Sequence, residues 1–443
     1  MPPTDQPRHS RRYAWYVVTL LALAYAFSLL DRWILTMVVD PVKAQFQVSD
    51  QDMGILLGPV FALFYVLFGL PFGWLADRQN RKKIIGMAML FWCAMTSWSG
   101  LAQTFDQLKL ARFGVGAGEA ALTPAGNSLV GDLFPREQQS RAISVFNMGV
   151  SFGMGVAYLL GGLIVSWMQA RPGYELPVVG PLASWQMVLV AAGLPGLVVA
   201  ILILLVREPP RGERLSQSGP SWPAMREYLK AYWPAYLLLC VGQVTSPLIG
   251  YAWQWLPTMF SRTLHWSVAD FAFSYGWILL IFGPLGAWCS GWLNSRYFRR
   301  GQSDGPYRTA MGCLFAMVFL STAVVLMPSP LLALIVLVPA TLAGAASTPA
   351  GAAALLHMTP GDYRARLTSV YVIFINGFGL LLGPSLVGAL NDHVFGSAGV
   401  RYSMAAVSFI VGGILTTTML FGLSAYRAAV QNLESRQLQG AAA

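Results

Sequence analysis

The stretch RFGVGAGEAALTPAG at 112–126 places an arginine and a glutamate inside a hydrophobic segment that runs from about 108 to 131. A segment of this length can cross a bilayer. Arg112 and Glu119 are seven positions apart, so a helix carries both on one face with roughly 10 Å of rise between them. Because either charge costs about 3 kcal/mol in hydrocarbon, we expect an intramembrane ion pair that faces a protein interior or a water-filled cavity.

Small residues separate these two charges, and they allow a second helix to approach closely. The glycines loosely match a nucleotide-binding loop, but no strand precedes them and the flanks are membrane-like, which excludes that interpretation. A buried pair on such a helix indicates transport. The alternative is a static ion-pair network that only orients two helices, although such pairs stabilise proteins poorly.

The composition is that of a polytopic membrane protein. Of the 443 residues, 56% are hydrophobic and only 11% are charged, whereas about a quarter are charged in a soluble protein. The four cysteines and four histidines show no metal-ligand spacing, and we expect neither a metal nor a cofactor.

The distribution of the basic residues predicts the topology. With the N-terminus placed in the cytoplasm, 22 Lys and Arg fall on the cytoplasmic side and 5 on the opposite side, so both termini are expected inside. The net charge of +10 therefore reflects topology and not a nucleic-acid partner. We predict twelve spanning segments, at about 13–39, 50–76, 84–102, 108–131, 140–168, 184–206, 231–257, 266–292, 307–327, 330–357, 363–390 and 401–427.

A proline- and charge-rich stretch at mid-chain separates two halves. We predict an N-terminal six-helix bundle at 1–206, a cytoplasmic linker at 207–230 and a C-terminal six-helix bundle at 231–443. Because no soluble domain and no GxxxxGK[ST] phosphate loop are present, transport must be driven by a gradient or run passively.

The two halves repeat each other in sequence. TPAG occurs at 123–126 and again at 348–351, an offset of 225, and GWLADRQNRK at 73–82 aligns with GWLNSRYFRR at 291–300, an offset of 218. Matches between loops and helix ends of the same rank indicate a parallel repeat of six plus six helices.

These motifs resemble a known family. GWLADRQNRKK at 73–83 resembles the signature loop of the major facilitator superfamily, with Asn80 where glycine is usual. LLDRW at 29–33, RFGVGAGEA at 112–120 and DLFPREQQSRAISVF at 132–146 resemble its spinster-type branch. The resemblance implies an all-α membrane protein of twelve helices in two pseudo-symmetric bundles, and substrates such as lysophospholipids or sphingosine phosphate. Sugar-acid and other organic-anion symporters of the superfamily share the helix 1 and helix 4 charges.

Four ionisable groups lie within predicted membrane segments, and we expect them to carry proton coupling. Burial and a neighbouring opposite charge act oppositely on a carboxyl group, which can bring its titration into the physiological range. Protonation of Glu119 or Asp31 would release its arginine partner to take an anionic substrate group. The set is Asp31, Arg32, Arg112 and Glu119.

Two further sets complete the predicted site. A latch on the cytoplasmic side is expected where Asp77 meets a helix N-terminus, with the alternative that the basic residues only set topology. Polar and aromatic residues near mid-depth are expected to line a substrate cavity. The latch comprises Gly73, Asp77, Arg78, Arg81 and Arg141, and the cavity comprises Arg112, Tyr65, Asn147, Gln243, Thr348 and Asn376.

The pattern favours a proton-coupled secondary transporter that moves an amphiphilic anion, lysolipid-like, by alternating access. The alternatives are a proton symporter for small organic anions such as sugar acids and, from another class, a non-transporting membrane sensor. An enzyme is not expected, because paired carboxylates or histidines at a membrane interface are missing. We expect a monomer in the bacterial inner membrane whose partners are the substrate, protons and membrane lipids.

Overall fold

The computed structural model describes residues 10–170, 174–176, 180–210, 222–360 and 363–442. Some side chains within its helices, that of Asn147 among them, lie outside the described part. Helices account for nearly all of the described chain, joined by one short hairpin that the sequence did not predict. Its strands β1 (Tyr174–Leu176) and β2 (Gly180–Leu182) pair antiparallel.

The described residues of the first half form nine helices. They are α1 (Arg11–Trp33), α2 (Val39–Phe46), α3 (Asp50–Leu57), α4 (Pro59–Ala76), α5 (Arg81–Ser99), α6 (Phe105–Glu119), α7 (Leu122–Leu133), α8 (Arg136–Gln169) and α9 (Ser184–Leu205).

The described residues of the second half form another nine. They are α10 (Trp222–Gln243), α11 (Thr245–Ala252), α12 (Leu256–Leu264), α13 (Val268–Arg299), α14 (Gly305–Leu326), α15 (Pro330–His357), α16 (Arg364–Leu390), α17 (Val400–Ala406) and α18 (Gly412–Ala442). Short 3-10 or π-helical turns link several of them into longer rods.

The predicted fourth segment is not one continuous helix. It consists of α6 and α7, which separate just after Glu119, the residue that ends α6. Our expectation of a single helix over 108–131 was wrong at this point. The glycine-rich run before the break carries little side-chain packing to hold a straight helix, and glycine has a low helix propensity.

Asn80 has a clear local role at the start of α5. Its side-chain Oδ1 accepts a hydrogen bond from the Lys83 amide at 3.1 Å, so Asn80 is the N-cap of this helix. Asparagine is among the preferred residues at that position. Glycine is usual at this position of the signature loop, and Asn80 in its place defines the start of α5.

Nine helical rods in the described residues are long and apolar enough to cross a membrane. Three predicted segments do not meet that criterion as single described rods, namely 84–102, 108–131 and 140–168. They are nevertheless helical and correspond to α5, to α6 with α7, and to α8, respectively. Helix α5 carries the basic run 81–83 at its start, and the segment formed by α6 and α7 is interrupted after Glu119.

The chain divides into two compact units. One unit comprises Met1–Leu215 with His265–Leu280, and the other comprises Ser216–Leu264 with Ile281–Ala443. The predicted bundle limits at 206 and 231 stay a prediction, and most of the predicted linker lies outside the described residues. In the first unit the start of α13 packs against α8, where Tyr158 and Tyr275 place their rings 4.9 Å apart.

Candidate functional site

A buried ion pair joins α1 to α6 in the N-terminal unit. Arg32 Nη2 lies 2.6 Å from Glu119 Oε2, and Ser28 Oγ donates to the same oxygen at 2.7 Å. The Glu119 side chain is completely buried and that of Arg32 is 10% exposed. The expected partner of Glu119 was Arg112, and the structure corrects this, because Arg112 is engaged elsewhere.

Arg112 contacts Asp31 and does not take part in this ion pair. Its Nη1 donates to the Asp31 backbone carbonyl at 2.9 Å, so Arg112 and Asp31 lie side by side. Arg112 is 1% exposed, and its Nε and Nη2 have no hydrogen-bond partner among the described residues. Because a guanidinium is always charged and seeks several acceptors, this side chain can take an anionic group.

The Asp31 carboxylate faces α5. Oδ2 lies 3.9 Å from Cys93 Sγ, and Trp92 and Thr96 are its other polar neighbours on that helix. Asp31 is fully buried, and its Oδ1 has no hydrogen-bond partner in the described part of the chain. The predicted coupling residues thus form one cluster that consists of two contacting pairs, Arg32 with Glu119 and Arg112 with Asp31.

An aromatic ring from α4 lies beside both arginines. The guanidinium carbon of Arg32 is 4.4 Å from the centre of the Phe61 ring, and that of Arg112 is 5.8 Å away. Tyr65 stacks on Phe61 with the ring centres 5.6 Å apart, and it also lies under Arg32 at 5.3 Å. Such rings hold cations through their quadrupoles, so the predicted cavity residue Tyr65 borders the charged cluster.

Gly116 permits this arrangement. A Cβ at Gly116 would lie 2.5 Å from the Phe61 carbonyl oxygen, a distance that no side chain tolerates. The glycine therefore lets α6 approach α4 until Phe61 reaches both guanidiniums. This is the close helix approach that the small residues between Arg112 and Glu119 predicted.

Arg81 is the centre of a second network in the N-terminal unit. It is 1% exposed; its Nε donates to Glu208 Oε1 at 2.8 Å, and its Nη1 donates to the Ser128 carbonyl at 3.0 Å and to Asp132. Glu208 also accepts from the Lys82 amide at 3.0 Å. Arg81 therefore fastens α5 to α7 and to the chain after α9 within one unit.

The other predicted latch residues are more exposed. Asp77 ends α4 at an exposed position, Arg78 lies over the Trp74 ring at 4.0 Å, and Arg141 lies over the Trp15 ring at 5.8 Å. A Cβ at Gly73 would meet only Pro124, at an ordinary 3.9 Å. The role of these residues as a latch stays a prediction.

The C-terminal unit contributes uncharged polar residues. Thr348 Oγ1 lies 3.3 Å from Ser246 Oγ, and Ser347 Oγ lies 2.8 Å from the same atom. Gln243, the last residue of α10, is fully buried. Asn376 is exposed and donates to its own helix at the Val372 carbonyl, 3.0 Å away. Of the predicted cavity residues, the Asn147 side chain lies outside the described part.

A serine at corresponding repeat positions makes a hydroxyl contact within each unit. At the offset of 218, Ser28 corresponds to Ser246, and at the offset of 225, Glu119 corresponds to Gly344. Ser28 binds Glu119, while Ser246 binds Ser347, which in turn donates to the Gly344 carbonyl at 2.8 Å. A hydroxyl contact between corresponding helices is thus present within each unit, but Ser246 meets Ser347 and not Gly344, the residue at the Glu119 position.

Sequence reasoning missed two members of the site. Ser28 follows from the helical spacing, because it lies one turn before Asp31 and Arg32 on α1. Tyr371 of α16 is 2% exposed and lies beside Gln243, and its hydroxyl has no hydrogen-bond partner among the described residues. Tyrosines are too frequent in this chain for sequence alone to select that one. Over the described residues, no group of three or more His, Cys, Asp or Glu could hold a metal ion.

Known proteins share this architecture. The chain is 25% identical to an MFS-type efflux pump of Mycolicibacterium smegmatis over 92% of this chain and 91% of that protein. It is 27% identical to protein spinster homolog 1 of Xenopus laevis, over 91% of this chain and 80% of that protein. Its fold matches the crystal structure of a bacterial homolog to the human lysosomal transporter spinster, with a TM-score of 0.76, 26% identity, and coverage of 96% and 98%.

These matches confirm the expected all-α, multi-pass membrane fold and the resemblance to the spinster-type branch. A D-xylose-proton symporter shares the fold at a TM-score of 0.67 and 17% identity, over 91% of this chain and 97% of that one. The family model of the Major Facilitator Superfamily matches residues 21–303, more than half of the sequence. The chain therefore belongs to the Major Facilitator Superfamily of transporters and resembles its spinster-type members.

Proposed function

We propose that this protein is a proton-coupled secondary transporter that moves an amphiphilic anion by alternating access. The observation that carries the proposal is the cluster of two arginines and two carboxylates on α1 and α6, each at most 8% exposed. Burying an ionisable residue within a membrane costs free energy, and such residues are typical of proton relays and substrate sites.

The contacts suggest how a proton is coupled to substrate. Glu119 accepts from both Ser28 and Arg32 through the same oxygen, while its Oε1 has no hydrogen-bond partner among the described residues. A proton can bind at Oε1 without displacing either donor. Protonation removes the charge that opposes Arg32, and the positive charge of Arg32 and Arg112 together then favours an anionic substrate group.

An amphiphilic anion fits the chemistry around these charges. The cationic groups lie against Phe61 and Tyr65, so one substrate can contact charge and apolar surface together. The more specific class of lysophospholipids and sphingosine phosphate rests on the resemblance to the spinster-type branch.

The placement of the protein is part of this proposal. The charge asymmetry of 22 to 5 supports cytoplasmic termini. A monomer in a bacterial inner membrane, which uses the proton gradient, completes the proposal.

A second candidate is proton symport of small organic anions such as sugar acids. It is favoured by the hydroxyl cluster of Ser246, Ser347 and Thr348 in the C-terminal unit, since a polyhydroxylated substrate can exchange hydrogen bonds with it. Against it stands the apolar and aromatic surface around Arg32, which a small hydrophilic anion leaves unused.

Flux measurements in proteoliposomes test the proposal. Purified protein is reconstituted, and uptake of lysophosphatidic acid, sphingosine phosphate and gluconate is measured with and without an imposed pH gradient. We expect gradient-dependent uptake of a lysolipid. Gradient-dependent uptake of gluconate alone would favour the second candidate, and no uptake of any substrate would contradict both.

A further inference from the structure

The C-terminal unit contains a buried polar pair that the charged cluster does not explain. Gln243 is fully buried and Tyr371 is 2% exposed. Neither the amide oxygen and nitrogen of Gln243 nor the hydroxyl of Tyr371 has a hydrogen-bond partner among the described residues. Buried polar groups in proteins nearly always have a partner, so an exception of this kind points to a group that joins them.

The two side chains converge on one point of α15. A Cβ at Gly351 would lie 2.5 Å from Gln243 Oε1 and 2.6 Å from Tyr371 Oη. Only glycine leaves room there for both polar groups. The arrangement therefore places an amide acceptor, an amide donor and a hydroxyl around a single small site.

An apolar groove begins beside this pair. It has a volume of about 320 Å³ and runs between α10 and α16. Cys240 lines the groove one helical turn before Gln243 on α10, and the groove residues Val370 and Phe374 flank Tyr371 on α16. The spacing of the α10 residues follows one face of a helix. The lining consists of Leu229, Trp233, Tyr236, Leu237, Cys240, Val370 and Phe374.

The groove is suited to a hydrocarbon chain. The Tyr236 hydroxyl, a polar group of its lining, is 3.3 Å from the Met358 carbonyl and 2.8 Å from Thr359 Oγ1, so it is already bound. Val370 is 63% exposed and Trp233 is 58% exposed, so a chain can enter from the side. Ligand sites commonly combine such an apolar wall with a few placed polar groups.

We propose that the C-terminal unit binds a single-chain amphiphile, with the chain in the α10–α16 groove and the uncharged ester or hydroxyl next to the chain held by Gln243 and Tyr371. The site deepens the proposed transport of an amphiphilic anion and rests on it. The pair thus distinguishes a lysolipid from a simple alkyl anion.

Two ligands that differ only at the linkage test the polar pair. Lysophosphatidic acid carries an ester and a hydroxyl beside its chain, whereas hexadecyl phosphate has a chain and a phosphate alone. Binding of both to the purified full-length protein is measured by scintillation proximity. We expect the unmodified protein to prefer lysophosphatidic acid by about tenfold, the value of one well-made hydrogen bond.

The variants Tyr371→Phe and Gln243→Leu should lose this preference and keep their affinity for hexadecyl phosphate. If both ligands weaken equally, or if the preference persists in both variants, the pair has no role in recognition and the inference is wrong. If the unmodified protein binds neither ligand, the proposed amphiphile function itself fails, which is a different result.

A second pair of variants tests the groove. Val370→Trp should fill the groove and weaken both ligands by about tenfold or more. Val394→Trp is the matched control, because Val394 is 61% exposed and lies outside the groove; its affinities should not change. Equal effects of the two substitutions would overturn the assignment of the chain to this groove.

Discussion

Among single residues, the chemistry depends on which carboxylate meets which guanidinium. Glu119 has one oxygen that accepts from Arg32 and Ser28 and a second oxygen without a partner among the described residues. Asp31 instead offers its backbone carbonyl to Arg112 and keeps its carboxylate toward α5. Of the two acids, it is therefore Glu119 whose carboxylate pairs with an arginine, and we expect Glu119 to dominate proton coupling.

Glu119→Gln should uncouple transport from the proton gradient. The amide mimics the protonated acid and no longer holds Arg32 by charge, so substrate exchange should persist while gradient-driven accumulation is lost. Uptake and exchange are measured side by side in proteoliposomes. As a control, Ser28→Ala removes one hydrogen bond but keeps the charge, and it should retain accumulation. A Glu119→Gln protein that still concentrates substrate would remove Glu119 from the mechanism.

Arg112→Ala should abolish transport and leave folding nearly intact. The side chain makes one hydrogen bond to a backbone carbonyl and leaves two of its nitrogens for a substrate anion. Arg112→Lys should restore little, because an ammonium lacks the planar fork that binds an oxyanion in bidentate fashion. Flux and melting temperature are measured together. Full flux in the alanine variant would show that this arginine only supports the fold.

At the level of helices and their ends, the two repeated halves secure their elements differently. The N-terminal unit uses Arg81, buried between Asp132 and Glu208, to fasten α5 to α7 and the end of α9. The C-terminal unit places Asp304 just before α14, where it pairs with Arg427 of α18 at 2.5 Å and with Arg308 at 2.9 Å. In each unit a buried ion faces two partners of opposite charge.

Arg81→Ala should destabilise the N-terminal unit strongly. It leaves two partly buried carboxylates without their common cation, a loss of about 3–5 kcal/mol for buried pairs. Arg78→Ala is the matched control, because Arg78 is exposed and stacks on Trp74. We expect a lower melting temperature and poor expression for Arg81→Ala alone. Equal stability of the two variants would indicate that Arg81 serves the latch and not the fold.

The Asp304 site makes stability depend on pH. Burial alone would raise the pKa of Asp304, but the hydrogen bonds and charges of Arg427 and Arg308 outweigh it and lower the pKa below its ordinary value. A depressed pKa means that the stabilisation is complete above the unfolded pKa of about 3.9 and is lost as the pH falls through the folded pKa.

Asp304→Asn should therefore lower the melting temperature at pH 7, by an amount equivalent to about 1 kcal/mol because both arginines are partly exposed. The difference from the unmodified protein should shrink as the pH is lowered below about 4. Thermal unfolding in detergent across this range measures it. A difference that stays constant with pH would mean that the substitution acts through packing.

For the molecule as a whole, the asymmetry between the halves is the main functional feature. The N-terminal unit holds the four buried charges, and the C-terminal unit holds a hydroxyl cluster of Ser246, Ser347 and Thr348. We therefore expect charged substitutions in the N-terminal unit and hydroxyl substitutions in the C-terminal unit to affect transport differently.

Asp77→Asn should shift the conformational equilibrium toward forms that are open to the cytoplasm. The amide loses the charge that a helix N-terminus attracts, a contact worth roughly 0.3–1 kcal/mol and up to about 2 when partly buried. Cysteine-reporter labelling from the cytoplasmic side measures the shift. Asp106→Asn is the control, because Asp106 is exposed and pairs with Lys109 on its own helix. Unchanged labelling in Asp77→Asn would contradict the latch.

Local sequence alone was enough to predict the fold class, the family and the members of the charged cluster. Hydrophobic length, the bias of Lys and Arg between loops, and a charge within an apolar segment are properties of short stretches. The cost of a charge in hydrocarbon does not depend on which helices pack together. For that reason the apolar segments around Asp31, Arg32, Arg112 and Glu119 suffice to select these four residues.

The pairings within the cluster, in contrast, depend on tertiary packing. Arg32 meets Glu119 across 87 positions of sequence, and Arg81 meets Glu208 across 127. Which partner a guanidinium finds depends on helix rotation and on close approaches such as that of Gly116 to Phe61. The placement of Tyr371 beside Gln243 follows from packing as well. Because these contacts join residues far apart in the chain, no local pattern specifies them.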